Sequence, residues 1–188
     1  MGEVKKPVVY AFIDAQNLKM GVENNIYSEK NKTKILYEGW PLDYKKFRLY
    51  LTNKYGVSKA YLFIGEIPGR WWLYKKLRDR GFEVVLKPTI PYDDGTGDSS
   101  RSKTKGNVDA DLVLYAGALT YKQYNQAVIV SGDGDFRLLF EYLDAENKLL
   151  KILAPNFRYS SLLNKFESKI DVIGTKKDEL GREDNTKK

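Results

Sequence analysis

The sequence predicts a three-layer, Rossmann-like α/β domain: a parallel sheet of five strands with helices on both faces. Three observations carry this. Short apolar runs recur at residues 8–13, 60–64, 82–86, 127–130 and 149–153. Segments whose apolar residues repeat at three and four positions lie between them, as crossover helices between parallel strands require. Two of the runs also end directly on acids, at Asp14 and in the turn Ser131-Gly132-Asp133-Gly134-Asp135-Phe136, and open α/β sheets carry their ligands at such strand ends.

The first strand, Val8-Val9-Tyr10-Ala11-Phe12-Ile13, is apolar throughout, as a strand covered on both sides should be. Leu18 and Val22 continue a short helix. Residues 23–41 are polar and aperiodic, with the run Lys30-Asn31-Lys32-Thr33-Lys34, and read as a mobile excursion. Residues 42–55 predict a helix with Tyr44, Phe47 and Leu51 inward, Asp43 as its cap and Gly56 as its stop. The second strand, 60–64, leads to a helix over 70–80 closed by Gly81, and the third strand, 82–86, ends at Pro88. Residues 88–106 are rich in Asp, Gly, Ser, Thr and Lys and read as a long loop over the sheet edge. A helix over 108–121 turns Val108, Leu112, Ala116 and Leu119 inward. The fourth strand is followed by a helix over 135–144 with Phe136, Leu139, Phe140 and Leu143 inward, then by the fifth strand and a short helix at 160–166. The expectation is one domain over 1–173, with a charged, disordered tail from Gly174.

Composition narrows the chemistry. The 188 residues contain no Cys and no His, which removes disulfides, thiolate nucleophiles, the usual zinc sites and imidazole catalysis. Hydrolysis by this chain therefore rests on carboxylates and a metal. Lys and Arg number 32 against 25 Asp and Glu, a net charge of +7. A basic surface around an acidic pocket suits a polyanion, and a plain soluble basic surface accounts for the charge equally. The chain offers neither an apolar run of the roughly 20 residues a membrane span needs nor an apolar leader, so a cytoplasmic location is expected.

The candidate site is acidic. If the strands ending at Asp14 and Asp133 are parallel neighbours, their carboxylates gather at one sheet edge and repel one another unless a divalent cation neutralises them. Asp14 alone reads as a helix cap. Asp133 and Asp135 together read as a site, because a cap accounts for one acid only, and Gly132 and Gly134 let backbone come close to a ligand. Asp109 and Asp111 open the next helix about 200° apart, so only one of them can face the site, and both also suit a positive helix end. Trp71 and Trp72 point about 100° apart, so at least one is expected to pack into the core, leaving the other free to stack on a base.

Three motifs in order resemble a known family. Phe12-Ile13-Asp14-Ala15-Gln16-Asn17, Lys105-Gly106 with Val108-Asp109, and Ser131-Gly132-Asp133-Gly134-Asp135-Phe136 are together similar to the NYN domain. They resemble in particular its LabA-like branch, within the PIN-like ribonuclease superfamily, and the resemblance runs from about Val8 to Phe166. It implies a sheet ordered 3-2-1-4-5 and an acidic pocket that binds Mg²⁺ or Mn²⁺ for RNA cleavage. It further implies Asp14, Asp109, Asp133 and Asp135 as catalytic and metal-binding acids, with Asn17 and Ser131 as polar supports in contact with substrate. Lys105 takes its phosphate-binding role from its motif, and Arg137, Lys103 and Arg101 are further phosphate candidates. Two departures stand out: Asn107 adds a residue inside the second motif, and Tyr115 stands where many relatives have a further acid.

The expected activity is a metal-dependent endoribonuclease, with nucleic acid, foremost RNA, as partner; a homo-oligomer is allowed and no membrane is involved. The alternative is a catalytically weak relative that binds RNA or a protein partner. A phosphatase of the haloacid dehalogenase type would need a second aspartate where Gln16 stands, and no G-x-G-x-x-G follows the first strand for a dinucleotide.

Overall fold

The computed structural model describes residues 6–88, 90–92, 103–105 and 108–183, with 90–92 and 103–105 described by their backbone alone. Strand β1 (Val9–Asp14) is buried along its whole length and runs into helix α1 (Ala15–Glu23), which buries Ala15, Leu18 and Val22. The excursion at 23–41 carries a short antiparallel hairpin of β2 (Ile26–Tyr27) and β3 (Ile35–Tyr37). Helix α2 (Tyr44–Tyr55) starts on the Asp43 side chain, which accepts from the Lys45 and Lys46 amides, and stops at Gly56 with φ of 69°, a left-handed conformation natural to glycine. Strand β4 (Val57–Gly65), helix α3 (Trp71–Asp79) and strand β5 (Glu83–Lys87) follow. A second antiparallel pair, β6 (Ile90–Tyr92) and β7 (Lys103–Lys105), lies in the segment read as a loop.

Helix α4 (Asp109–Leu114) passes into a π-helical turn at Tyr115–Leu119. Strand β8 (Gln126–Val130) then leads through a 3-10 turn, Gly134–Phe136, into α5 (Arg137–Ala145), and β9 (Leu149–Ala154) into a 3-10 segment, Ser161–Lys169. Strand β10 (Ile170–Val172) and helix α6 (Lys177–Leu180) complete the described chain.

The main sheet runs β5-β4-β1-β8-β9-β10, and all its pairings are parallel. The expectation of five strands in the order 3-2-1-4-5 is corrected to six, in the order 3-2-1-4-5-6. Ile170-Asp171-Val172 is too short and too polar at its centre to read as a strand. It pairs with β9 because Asp171 is met from outside its own segment, by Lys54, Tyr55 and Lys151.

Alternation along β1 divides the core. Val9, Ala11 and Ile13 face one layer with Leu18 of α1, Phe47 and Leu51 of α2 and Leu77 of α3. Tyr10 and Phe12 face the other, with Leu112 of α4, Phe136 of the 3-10 turn, and Phe140 and Leu143 of α5. The chain thus leaves β1 toward one face and leaves the adjacent β8 toward the other. Such a switch opens a crevice beyond the strand ends.

The expectation that order is lost from Gly174 is also corrected, as far as residue 183. Leu180 is fully buried in the first layer, its carbonyl accepts from the Asp43 amide (2.9 Å), and Leu42 bridges Gly181. One apolar residue in a charged segment gives no periodic signal, yet it suffices when backbone groups of residues 41–43 offer it partners. Among the described residues no helix is long and apolar enough to cross a membrane.

Candidate active site

The crevice between β1 and β8 holds a cleft of about 540 Å³, lined by Asp14, Asn17, Asp109, Asp133, Arg158 and Tyr159 among others. Register explains the meeting of Asp14 and Asp133. Ile13 pairs with Val130, so Asp14 emerges beside the turn that carries Asp133.

Asp14 does two things at once. Its Oδ1 accepts from the Gln16 and Asn17 amides (3.0 Å each), capping α1, while the same carboxylate lines the cleft. It is only 6% exposed. Burial pushes its carboxyl above the usual carboxylate value, the charges of Asp109 and Asp133 push the same way, and the Asn17 and Gln16 amides pull back. Asn17 fastens one loop to the other, since its Oδ1 accepts from the Gly132 amide (2.9 Å). That bond orients the side-chain NH₂ as a donor for the cleft.

Asp133 reaches the cleft from the β8 turn. Its Oδ1 accepts from the Asp135 amide (3.0 Å), and its own amide donates to Ser131 Oγ (3.2 Å). Asp109 enters from the first turn of α4. Asp111, two positions on, pairs with Lys87 on β5 (3.1 Å).

Three expected contributors lie elsewhere. Asp135 is exposed and does not line the cleft. The 3-10 turn spaces its residues about 120° apart, and burying Phe136 turns Asp135 outward. Ser131 is fully buried and out of reach of a substrate, so it positions Asp133 instead. Arg137 pairs with Glu141 on its own helix and does not line the cleft. Arg101, Gly106 and Asn107 lie outside the described residues, as do the side chains of Lys103 and Lys105.

The glycines of the β8 turn have another reason than the one expected. A Cβ on Gly134 would clash with Ser160 Oγ, and one on Gly132 would stand 3.1 Å from Tyr159 Cβ. Their lack of side chains lets the β8 and β9 loops pack together, sealed by the Ser160 amide on Gly132 O (2.9 Å).

Arg158 and Tyr159 escaped the sequence reading. They lie in the loop after β9, which leaves the sheet at the same edge as the acids, so the strand-end rule that points to Asp14 and Asp133 reaches them too. Arg158 Nη2 donates to Tyr27 O (3.0 Å) and stands 3.8 Å from Glu29, which brings the β2–β3 hairpin over to the cleft.

The donor chemistry, several carboxylate oxygens with an amide, suits a hard cation such as Mg²⁺ or Mn²⁺. Among the described residues no three acids stand close enough to form a closed coordination group. A hydrated ion of the Mg²⁺ type needs only one or two carboxylates, which Asp14, Asp109 and Asp133 could offer.

Fold and cleft together define a doubly wound α/β domain with an acidic pocket at its switch point. The model of the NYN domain matches residues 8–172, and the chain belongs to the NYN domain family, which points to a PIN-like nuclease family. Among solved structures it is similar to a protein of unknown function from Vibrio parahaemolyticus RIMD 2210633. The TM-score is 0.66 at 25% identity, over 92% of this chain and 96% of that one. No curated protein matches the chain.

Proposed function

We propose that this chain is a metal-dependent endoribonuclease-like NYN domain of the LabA-like branch, hydrolysing phosphodiesters in single-stranded or loop RNA. One observation carries the reading: the buried Asp14 carboxyl shares a cleft with Asp109 and Asp133, and their charges work against its ionisation. Such crowding is relieved by a cation.

Mg²⁺ or Mn²⁺ bound there would supply positive charge against the phosphate and a water of lowered pKa. Asp14 and Asp133 would hold that ion, with Asp109 on the same cleft wall adding negative charge. The Gln16 and Asn17 amides keep the Asp14 carboxylate in one orientation, and the bond from Gly132 to Asn17 holds the β1 and β8 loops at a fixed spacing. Arg158, on the cleft wall, pairs with a phosphate flanking the cut.

Purified protein should cleave single-stranded RNA with Mn²⁺ or Mg²⁺, stop in EDTA, and lose activity at least about a hundredfold on Asp133→Asn. Cleavage that persists in EDTA, or that survives Asp133→Asn, removes the proposal. One observation favours the binding-only alternative. Tyr115, at the position the NYN resemblance gives to a further acid, packs its ring on Tyr61 and Phe63 (5.5 and 5.3 Å between centroids) and adds no carboxylate. RNA binding without cleavage under any divalent ion would establish that alternative.

A further inference from the structure

Helix α3 turns two tryptophans outward. Tyr74 and Leu77 are buried and Leu73 packs beside them, so three neighbouring positions set the inner side and exclude Trp71 and Trp72 from it. The expectation that at least one packs into the core is corrected: Trp71 is 70% exposed and Trp72 54%. The helix start is firmly held, because Tyr74 Oη accepts from the Ile67 amide (2.7 Å) and reaches Gly65 O (3.4 Å). Two large apolar rings side by side on a rigid support mark an interaction site rather than scattered surface.

Charge identifies the occupant. At about 100° per residue, Lys75 falls between the two tryptophans around the helix, Lys76 beyond Trp72 and Arg78 beside Trp71, and all three are exposed. Lys75 pairs with Asp79 (2.9 Å) on the same face. An apolar protein surface would meet interruptions at every turn here. Flat π faces interleaved with cations suit a single-stranded nucleic acid, whose bases stack while its phosphates are neutralised. Position agrees. Strand β4 lies beside β1 with Phe63 opposite Asp14, so the loop from β4 to α3 leaves the sheet at the edge that holds the acidic cleft.

We infer that Trp71 and Trp72 form a stacking platform for unpaired bases of an RNA strand whose backbone continues into the cleft. The identity of that strand rests on the proposed ribonuclease reading. A platform of this kind selects against duplex, whose bases offer no free faces.

The full chain is titrated in EDTA with a single-stranded oligouridylate and with duplex RNA of equal length, following tryptophan emission. The third tryptophan, Trp40, is 2% exposed, so quenching reports on the outer pair. The single strand should quench emission and bind well, and the duplex should bind far more weakly. Trp71→Ala and Trp72→Ala should each weaken binding about tenfold. Double replacements leave only the buried Trp40, so they are read by the anisotropy of a labelled oligouridylate: phenylalanine at both positions should keep most of the affinity, and leucine should not. Unchanged affinity in the alanine variants, or leucine equal to phenylalanine, overturns the inference. So does a shift from dimer to monomer in the alanine variants with RNA binding intact, which would give the patch to a second copy of this chain. A protein that stacks RNA but cuts none with any divalent ion keeps the platform and loses the hydrolytic reading. Cleavage that disappears on Asp133→Asn, with affinity unchanged in the tryptophan variants, does the reverse.

Discussion

Asp14→Asn and Asp14→Ala separate the two tasks of one side chain. Asparagine keeps an oxygen for the Gln16 and Asn17 amides, each 3.0 Å away, and caps helices as well as aspartate does. It removes the charge that burial, Asp109 and Asp133 all disfavour, so without metal the Asn variant should be at least as stable as the parent. Alanine removes the cap as well, at about 1 kcal/mol. In a chain of 188 residues that lowers the melting temperature by about 2–4 °C relative to asparagine. A divalent ion reverses the ranking. At ten times its Kd, an ion that binds only the folded chain adds RT ln 11, about 1.4 kcal/mol, or about 3–6 °C, to the parent, and little to either variant. Thermal melts followed by circular dichroism, in EDTA and across a Mn²⁺ titration, read both effects. An Asn variant that falls to the level of alanine in EDTA, or rises with Mn²⁺ as the parent does, would refute the crowding argument.

Two further predictions concern what holds the site's scaffold. Burial alone would raise the Asp171 carboxyl, but hydrogen bonds from Tyr55 (2.6 Å), Lys54 (2.9 Å) and Lys151 (3.2 Å) outweigh it and bring it down to about 2. A depressed value contributes stability that is complete above the ordinary 3.8 and is lost as pH falls toward about 2. Solvent screens this partly exposed cluster, so Asp171→Asn should lose on the order of 1 kcal/mol at pH 7 and converge with the parent in acid, as urea melts across pH will read. Leu180→Ala should cost about 2–5 kcal/mol, because Leu180 is fully buried in the layer with Leu42 and Phe47. A loss below about 0.5 kcal/mol, as for an exposed site, would undo the docking of α6.

The candidate site was legible in proportion to how far backbone regularity determines it. Asp14 and Asp133 follow directly from strands, and parallel pairing of β1 with β8 brings any such residues to one edge. Helix geometry allows only one of Asp109 and Asp111 to face the site, the NYN resemblance picks Asp109, and the partner of Asp111 is Lys87 on β5. Asp135 is different. Its direction depends on whether the turn after β8 is α-helical or 3-10, and that is settled by where Phe136 finds its pocket. Arg158 belongs to a loop with no regular signal, and a contact with the distant Tyr27 carbonyl brings it to the cleft.

The amino-acid sequence by itself determined the class of fold, the main strands and helices, the caps at Asp43 and Gly56, and the acids at the ends of β1 and β8. These depend on burial period and local backbone preference, which act within a few residues. Only the tertiary structure decided that Ile170–Val172 joins the sheet, that Leu180 docks, and that Gly132 and Gly134 accommodate a neighbouring loop. Each of those outcomes turns on partners supplied from far along the chain, where one buried side chain or one unmet backbone group outweighs local pattern.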